Sequence, residues 1–146
     1  MNNSHNYEMY LHFIEATEAL KKMPLFPILD SIETDLLNEI SLRWQKGNSL
    51  LVNEAISMEK IGSRATLHAR IKNLRQKGYV DFHNDIDGRK KILKPTMLAT
   101  GYFSALSQLL EQAVEENVIK DQARNRRSTD RDQFGLGSES HSLSFN

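Results

Sequence analysis

The 146-residue chain contains no cysteine, which excludes a disulfide framework, a thiolate metal site and a cysteine nucleophile. Its five histidines, His5, His12, His68, His83 and His141, lack the i, i+4 spacing that sets two imidazoles on one helix face, so no metal is expected. No apolar run approaches the ~20 residues of a membrane span. Met1-Asn2-Asn3-Ser4-His5-Asn6 has none of the charged-then-apolar grading of a secretory signal. A soluble, intracellular protein that makes no membrane contact is therefore expected. A Gly-rich phosphate loop is missing, as is a carboxylate pair grouped with a histidine, and the acidic residues of the N-terminal half fall at solvent-face spacing along helices. Neither an enzyme nor a bound cofactor is expected.

Net charge is also missing: 19 Lys and Arg balance 19 Asp and Glu. The balance is uneven along the chain, however. Residues 60–94 hold ten basic side chains against three Asp, a local charge of +7, whereas residues 1–59 carry −5 and residues 95–146 carry −2. A neutral protein thus contains one strongly basic segment, the electrostatic footprint of a phosphate-contacting surface.

Periodicity and punctuation give the element order. Tyr7, Tyr10, Leu11 and Ile14 recur at helical spacing within an amphipathic helix over 6–22. Pro24 and Pro27 cannot continue it. Asp30 or Ser31 caps a second helix that runs to about Lys46, burying Ile32, Leu36, Leu37, Ile40 and Trp44 and stopping at Gly47. Leu50-Leu51-Val52 has β character, and Asn53 is placed to cap a brief helix over 54–59. Ile61-Gly62 makes a turn, Ser63 caps the next helix and Gly78 ends it. Strands over 79–83 and 90–94 close at Asp87-Gly88, a strong hairpin signal when both central residues take positive φ. A long helix follows Pro95-Thr96 to about Lys120, with Leu98, Tyr102, Leu106, Leu109 and Ala113 in one stripe that Phe103, Leu110 and Val114 widen. Gly101 suggests a bend or a close helix contact there. Helix, turn, helix and hairpin in this order are the mark of a winged helix-turn-helix, whose second helix enters the DNA major groove.

On that second helix Ile71 and Leu74 lie within about 40° of Leu67, and the three form the buried stripe. The opposite face presents Ala65, His68, Ala69, Lys72 and Gln76. Two alanines at its centre allow close approach to a groove. Arg64 and Thr66 in the first turn, and Arg70 and Arg75 at the flanks, supply donors. Ser63 and the helix N-terminus suit a phosphate. A bare helix with these cations would read as a solvated face, and the turn, hairpin and Arg89 that accompany it favour DNA. His68 is as consistent with a neutral surface histidine as with a base contact, and Asp87 with a plain turn residue. Arg89 on the wing suits a narrow minor groove. Trp44 is expected in the core, and Arg124, Arg126 and Arg127 are expected to be solvated.

Ser63-Arg64-Ala65-Thr66-Leu67, Leu74-Arg75-Gln76-Lys77-Gly78-Tyr79-Val80 and Asp87-Gly88-Arg89-Lys90-Lys91 resemble the multiple-antibiotic-resistance regulator (MarR) family over residues 29–110. The resemblance implies that Ser63, Arg64, Thr66, His68, Lys72 and Arg89 line a DNA surface; Ala65 and Ala69 of the exposed helix face and Lys90 and Lys91 of the basic wing are expected to join them. It also implies a wing Asp supporting the Arg, and a two-fold dimer built from the first and last helices. Tyr7, Tyr10, Leu11 and Ile14 would meet Tyr102, Phe103, Leu106 and Leu110 there, since one small core does not need both stripes. Where the family often has two C-terminal helices, one helix and a tail are expected here.

The expected architecture is therefore mainly α with a small β-hairpin wing, a winged helix-turn-helix with additional N- and C-terminal helices over residues 6–120. Residues 1–5 and 121–146 are expected to be disordered. The expected function is a sequence-specific double-stranded-DNA-binding transcriptional regulator, with repression as its mode. Its place is cytoplasmic, on a prokaryotic or phage-type nucleoid. A small-molecule effector is compatible with this reading and is not indicated by any residue. The alternatives are a winged-helix adaptor for DNA replication or partition, and a winged helix that binds protein.

Overall fold

The structure is a computed structural model that describes residues 6–139, with side chains described for 6–132. The elements in chain order are α1 (Asn6–Lys21), α2 (Ser31–Gln45), α3 (Val52–Ala55), α4 (Arg64–Gln76), β1 (Val80–Asn84), β2 (Lys91–Pro95) and α5 (Met97–Glu139). Two compact units are present: residues 17–107, and a second that draws on the chain up to Ala16 and from Gln108 onward. No described helix is long and apolar enough to cross a membrane.

Local chemistry sets most boundaries in the 17–107 unit. Asp30 closes a capping box on α2: its Oδ1 accepts from Glu33 N–H at 2.8 Å, and its own N–H donates to Glu33 Oε2 at 3.2 Å. Ser63 caps α4 by accepting from Thr66 N–H at 3.3 Å. Gly78, at φ +85°, lets the chain leave α4 directly into β1. The two strands pair antiparallel, from Val80 opposite Pro95 to Asn84 opposite Lys91. Leu51 adds a single bridge to Ile92, and Leu93 N–H donates to Leu50 O at 2.9 Å. Leu36, Leu37 and Ile40 of α2, Leu67, Ile71 and Leu74 of α4, and Leu93 of β2 are buried. Each contributes about 1.5–3 kcal/mol of burial energy. Tyr102 closes the core edge-on to Phe26 at 5.7 Å and to Tyr79 at 5.8 Å.

Several expectations are corrected. The brief helix lies at 52–55 rather than 54–59, and its N-cap is Leu51, not Asn53. It starts early because the chain turns as soon as Leu51 has bridged to β2. The hairpin strands sit one residue later than expected, and Gly88 alone among 85–90 has positive φ. The wing is consequently not a two-residue turn at Asp87-Gly88. It is a longer loop in which Asp85 N–H donates to Lys90 O at 2.8 Å and Gly88 N–H to Asp85 O at 2.9 Å. Trp44 is 39% exposed rather than core, since it sits at the last turn of α2 with the Lys94 ammonium 5.3 Å from its ring centre. Tyr102, expected on an intersubunit stripe, is committed to its own core. Gly101 marks no tight contact: a Cβ there would stand 3.9 Å from the Phe26 ring.

Helix α5 does not end near Lys120. It continues to Glu139: the polar stretch after Asp121 has no proline, its first glycine is Gly135, and its arginines and glutamines favour helix. In the unit that includes this stretch, Arg124 pairs with Glu8 at 3.6 Å rather than standing free, and His12 lies 3.7 Å from Glu116 and 3.3 Å from the Lys120 ammonium. Residues 1–5 and 140–146, within the expected disordered ends, lie outside the described residues.

Candidate nucleic-acid interface

Helix α4 presents the two faces that its spacing requires. Leu67, Ile71 and Leu74 are buried, while Arg64, Ala65, His68, Ala69, Lys72 and Gln76 are exposed together on the other side. Thr66 is half-buried, its hydroxyl accepting from Ser63 at 2.8 Å. Ser63 itself is exposed at the positive end of the helix dipole. On the wing Arg89, Lys90 and Lys91 are all exposed, as is the fully solvated Ile86. The loop is braced by Asp85, whose Oδ1 accepts from Arg89 N–H at 3.2 Å and Lys90 N–H at 3.4 Å. Support for the wing thus comes from Asp85, through the backbone N–H groups of Arg89 and Lys90.

The flanking cations have other engagements. Arg70 Nε lies 2.7 Å from Asp30 Oδ2. The Lys77 ammonium pairs with Glu33 and also donates to Ile28 O at 2.7 Å. Glu33 is 2% exposed and accepts from Asn73 Nδ2 at 3.3 Å as well. Its spacing along α2 is that of a solvent-facing acid, but its carboxylate is the buried joint between α2 and the C-terminal half of α4. Arg75 lies over the Phe82 ring, its guanidinium carbon 4.5 Å from the centroid, and Lys91 stands 5.9 Å from the same centroid. Two of the ten cations in 60–94 are therefore neutralised by Asp30 and Glu33. Among the described residues, Arg64, Lys72, Arg75, Arg89, Lys90 and Lys91 have no carboxylate partner.

Elsewhere in the same unit, α2 and α5 flank an open groove of about 660 Å³, lined by Asn38, Ser41 and Leu42 of α2 and Thr100, Phe103 and Ser104 of α5. Burial raises the Tyr79 hydroxyl to about 12, helped by Tyr102 and Glu33. Burial also raises Tyr102, against the Lys21 charge. Both phenols are structural, and Tyr79 donates to Pro27 O at 2.5 Å. Among the described residues no group of three or more His, Asp or Glu could hold a metal ion.

No protein-family model matches the sequence, and no curated protein is significantly similar to it. Solved structures do share the fold. The MepR–DNA complex of Staphylococcus aureus aligns at a TM-score of 0.59 and 17% identity, covering 94% of this chain and 98% of that one. The transcriptional regulator Tm0710 from Thermotoga maritima aligns at 0.56 and 15% identity, over 96% of this chain and 92% of its own. MepR bound to ethidium bromide aligns at 0.59 and 16% identity, over 94% and 96%. The chain is a winged helix-turn-helix protein. Its fold is the one seen in these MarR-family regulators, of which MepR regulates the multidrug efflux pump MepA.

Proposed function

We propose that the protein is a sequence-specific double-stranded-DNA-binding transcriptional regulator that acts on the cytoplasmic nucleoid, with α4 in the major groove and the wing in the adjacent minor groove. The observation that carries this reading is the exposed face of α4. Small Ala65 and Ala69 at its centre are flanked by the unpaired cations Arg64 and Lys72, all within the one strongly basic segment. The same face argues against a protein-binding winged helix, which would present an apolar patch. MepR, of the same fold, has been solved on DNA. Phosphate contacts supply the bulk of the affinity, and the helix face supplies base choice. The test is selection from a random duplex library with the purified chain, followed by a salt series. Six phosphate contacts weaken binding roughly a thousandfold between 50 and 200 mM salt, and a flat affinity across that range overturns the reading.

The working form is a homodimer held by α1 and α5. In the unit that contains these segments, Tyr7, Tyr10 and Leu11 of α1 and Leu110, Val114, Val118 and Ile119 of α5 are exposed. Apolar surface of that extent is the kind a second copy covers. Phe103 and Leu106, half-buried in the other unit, lie at the edge of the expected stripe. A two-fold protein selects inverted repeats with half-sites about one helical turn apart. Sedimentation at micromolar concentration tests this directly: a monomer mass, or selected sites without a dyad, removes the dimer and favours the single-site adaptor.

A further inference from the structure

The geometry points to a backbone-phosphate site at the junction of α4 and the wing, formed by Arg75 and Lys91 over the ring of Phe82. The inference rests on the DNA-binding reading and names a contact within it. Arg75 comes from the last turn of α4, Lys91 opens β2, and Phe82 is half-buried in β1. Lys91 pairs with Asn84 in the ladder, so it shares a strand face with Phe82, two residues along from Asn84. With guanidinium and ammonium 4.5 Å and 5.9 Å from one ring centre, the two charges stand within about one Debye length, near 10 Å, of each other.

The quadrupole of the ring attracts both cations, yet leaves their mutual repulsion unanswered. Two cations near Arg75 in sequence are treated differently: Arg70 has Asp30 and Lys77 has Glu33. Among the described residues Arg75 and Lys91 have no carboxylate. A singly charged phosphodiester, with two free oxygens, is the group that completes the pair. Its position follows from the docking geometry. A protein that places one element in the major groove and another in the adjacent minor groove straddles the backbone strand between them, and cations at the junction of those elements lie over that strand. Phe82 acts as a positioning residue that holds the helix cation and the wing cation on one phosphate.

The test uses the full chain on its selected duplex, with Arg75→Ala, Lys91→Ala, the double variant and Phe82→Leu, and thermal unfolding by circular dichroism as a check on folding. Each single charge variant weakens binding about three- to tenfold with base preference unchanged, and flattens the log K against log salt slope by up to about 0.9. Because one phosphate is shared, the double variant loses about 0.9 of slope rather than twice that. Phe82→Leu keeps both charges and weakens binding with the slope retained. Replacing the contacted phosphate by a neutral methylphosphonate abolishes the difference between wild type and the charge variants. If wild type binds with steep salt dependence while Arg75→Ala and Lys91→Ala match it in affinity and slope, the clamp is overturned alone. A double-variant slope loss near 1.8 replaces it with two separate phosphate contacts. Wild type that shows no salt-dependent binding overturns the functional reading, and the clamp with it.

Discussion

Glu33→Ala is the substitution from which the structure predicts the largest effect per atom removed. The carboxylate is 2% exposed and accepts from Asp30 N–H at 3.2 Å, from Asn73 Nδ2 at 3.3 Å and from the Lys77 ammonium. Deleting it leaves an ammonium and an amide facing a cavity, and opens half of the α2 capping box. Breaking a fully buried ion pair costs about 3–5 kcal/mol. The Lys77 side chain is 31% exposed and keeps Ile28 O at 2.7 Å, which lowers the expected loss to about 2–4 kcal/mol. Denaturant unfolding followed by circular dichroism measures this, and in a thermal scan it appears as a drop of about 10 °C or more. Glu33→Gln keeps the shape and an acceptor for Asn73, so about 1–2 kcal/mol is expected. The double variant Glu33→Leu with Lys77→Met replaces the pair by apolar groups of similar length and recovers much of the loss. A Glu33→Ala midpoint within about 2 °C of wild type, or a double variant as unstable as the sum of the singles, would refute the assignment of Glu33 as the joint between α2 and α4.

Three other outcomes follow from the same geometry. Tyr79 keeps its proton to about pH 12 in the folded state while the unfolded chain loses its own near 10. Stability therefore falls as pH rises from 10 toward 12, by about 1.4 kcal/mol per unit. Tyr79→Phe loses about 1 kcal/mol at neutral pH with the Pro27 hydrogen bond and flattens the alkaline limb of a denaturation series; an unchanged limb means that Tyr79 is not the group responsible. Gly101→Ala places a Cβ in ordinary contact with Phe26 inside a helix and is expected to raise stability by about 0.5–1 kcal/mol in urea unfolding. Arg64→Ala or Lys72→Ala on the α4 face relaxes base preference at about 1–3 kcal/mol, whereas Arg89→Ala on the wing weakens binding with less change in preference. Equal, sequence-blind losses for all three in competition binding would mean that α4 only positions the protein.

Where a signal is local, the chain declares it. Ser63 and Gly78 bound α4 because a hydroxyl that can accept from the third N–H and a residue free of Cβ are properties of those residues alone. The buried and exposed faces of α4 follow from helical pitch acting on Leu67, Ile71 and Leu74. The basic segment is a sum over sequence. Even the misplaced wing turn was local in origin: Asp87-Gly88 correctly marked a loop, and the tighter geometry assigned to it failed because Asp85 offers the backbone a competing set of hydrogen bonds.

What only the tertiary structure decided is which element stands opposite each side chain. Glu33 at the third position of a helix looks like any solvated capping acid until Asn73 and Lys77, forty and forty-four residues away, close over it. Arg70 and Arg75 fall on the two opposite flanks of one helix by pitch, but pitch does not say that one meets Asp30 and the other Phe82. Tyr102 belonged to an apolar stripe wide enough for two surfaces, and the choice between them rested on Phe26 and Tyr79 arriving beside it. Length of helix was hidden for the opposite reason: past Lys120 α5 continues through a polar stretch with few aliphatics, so composition reported solvation rather than conformation. Periodicity encodes which way a side chain faces. The free energy of facing that way depends on a partner that periodicity does not contain.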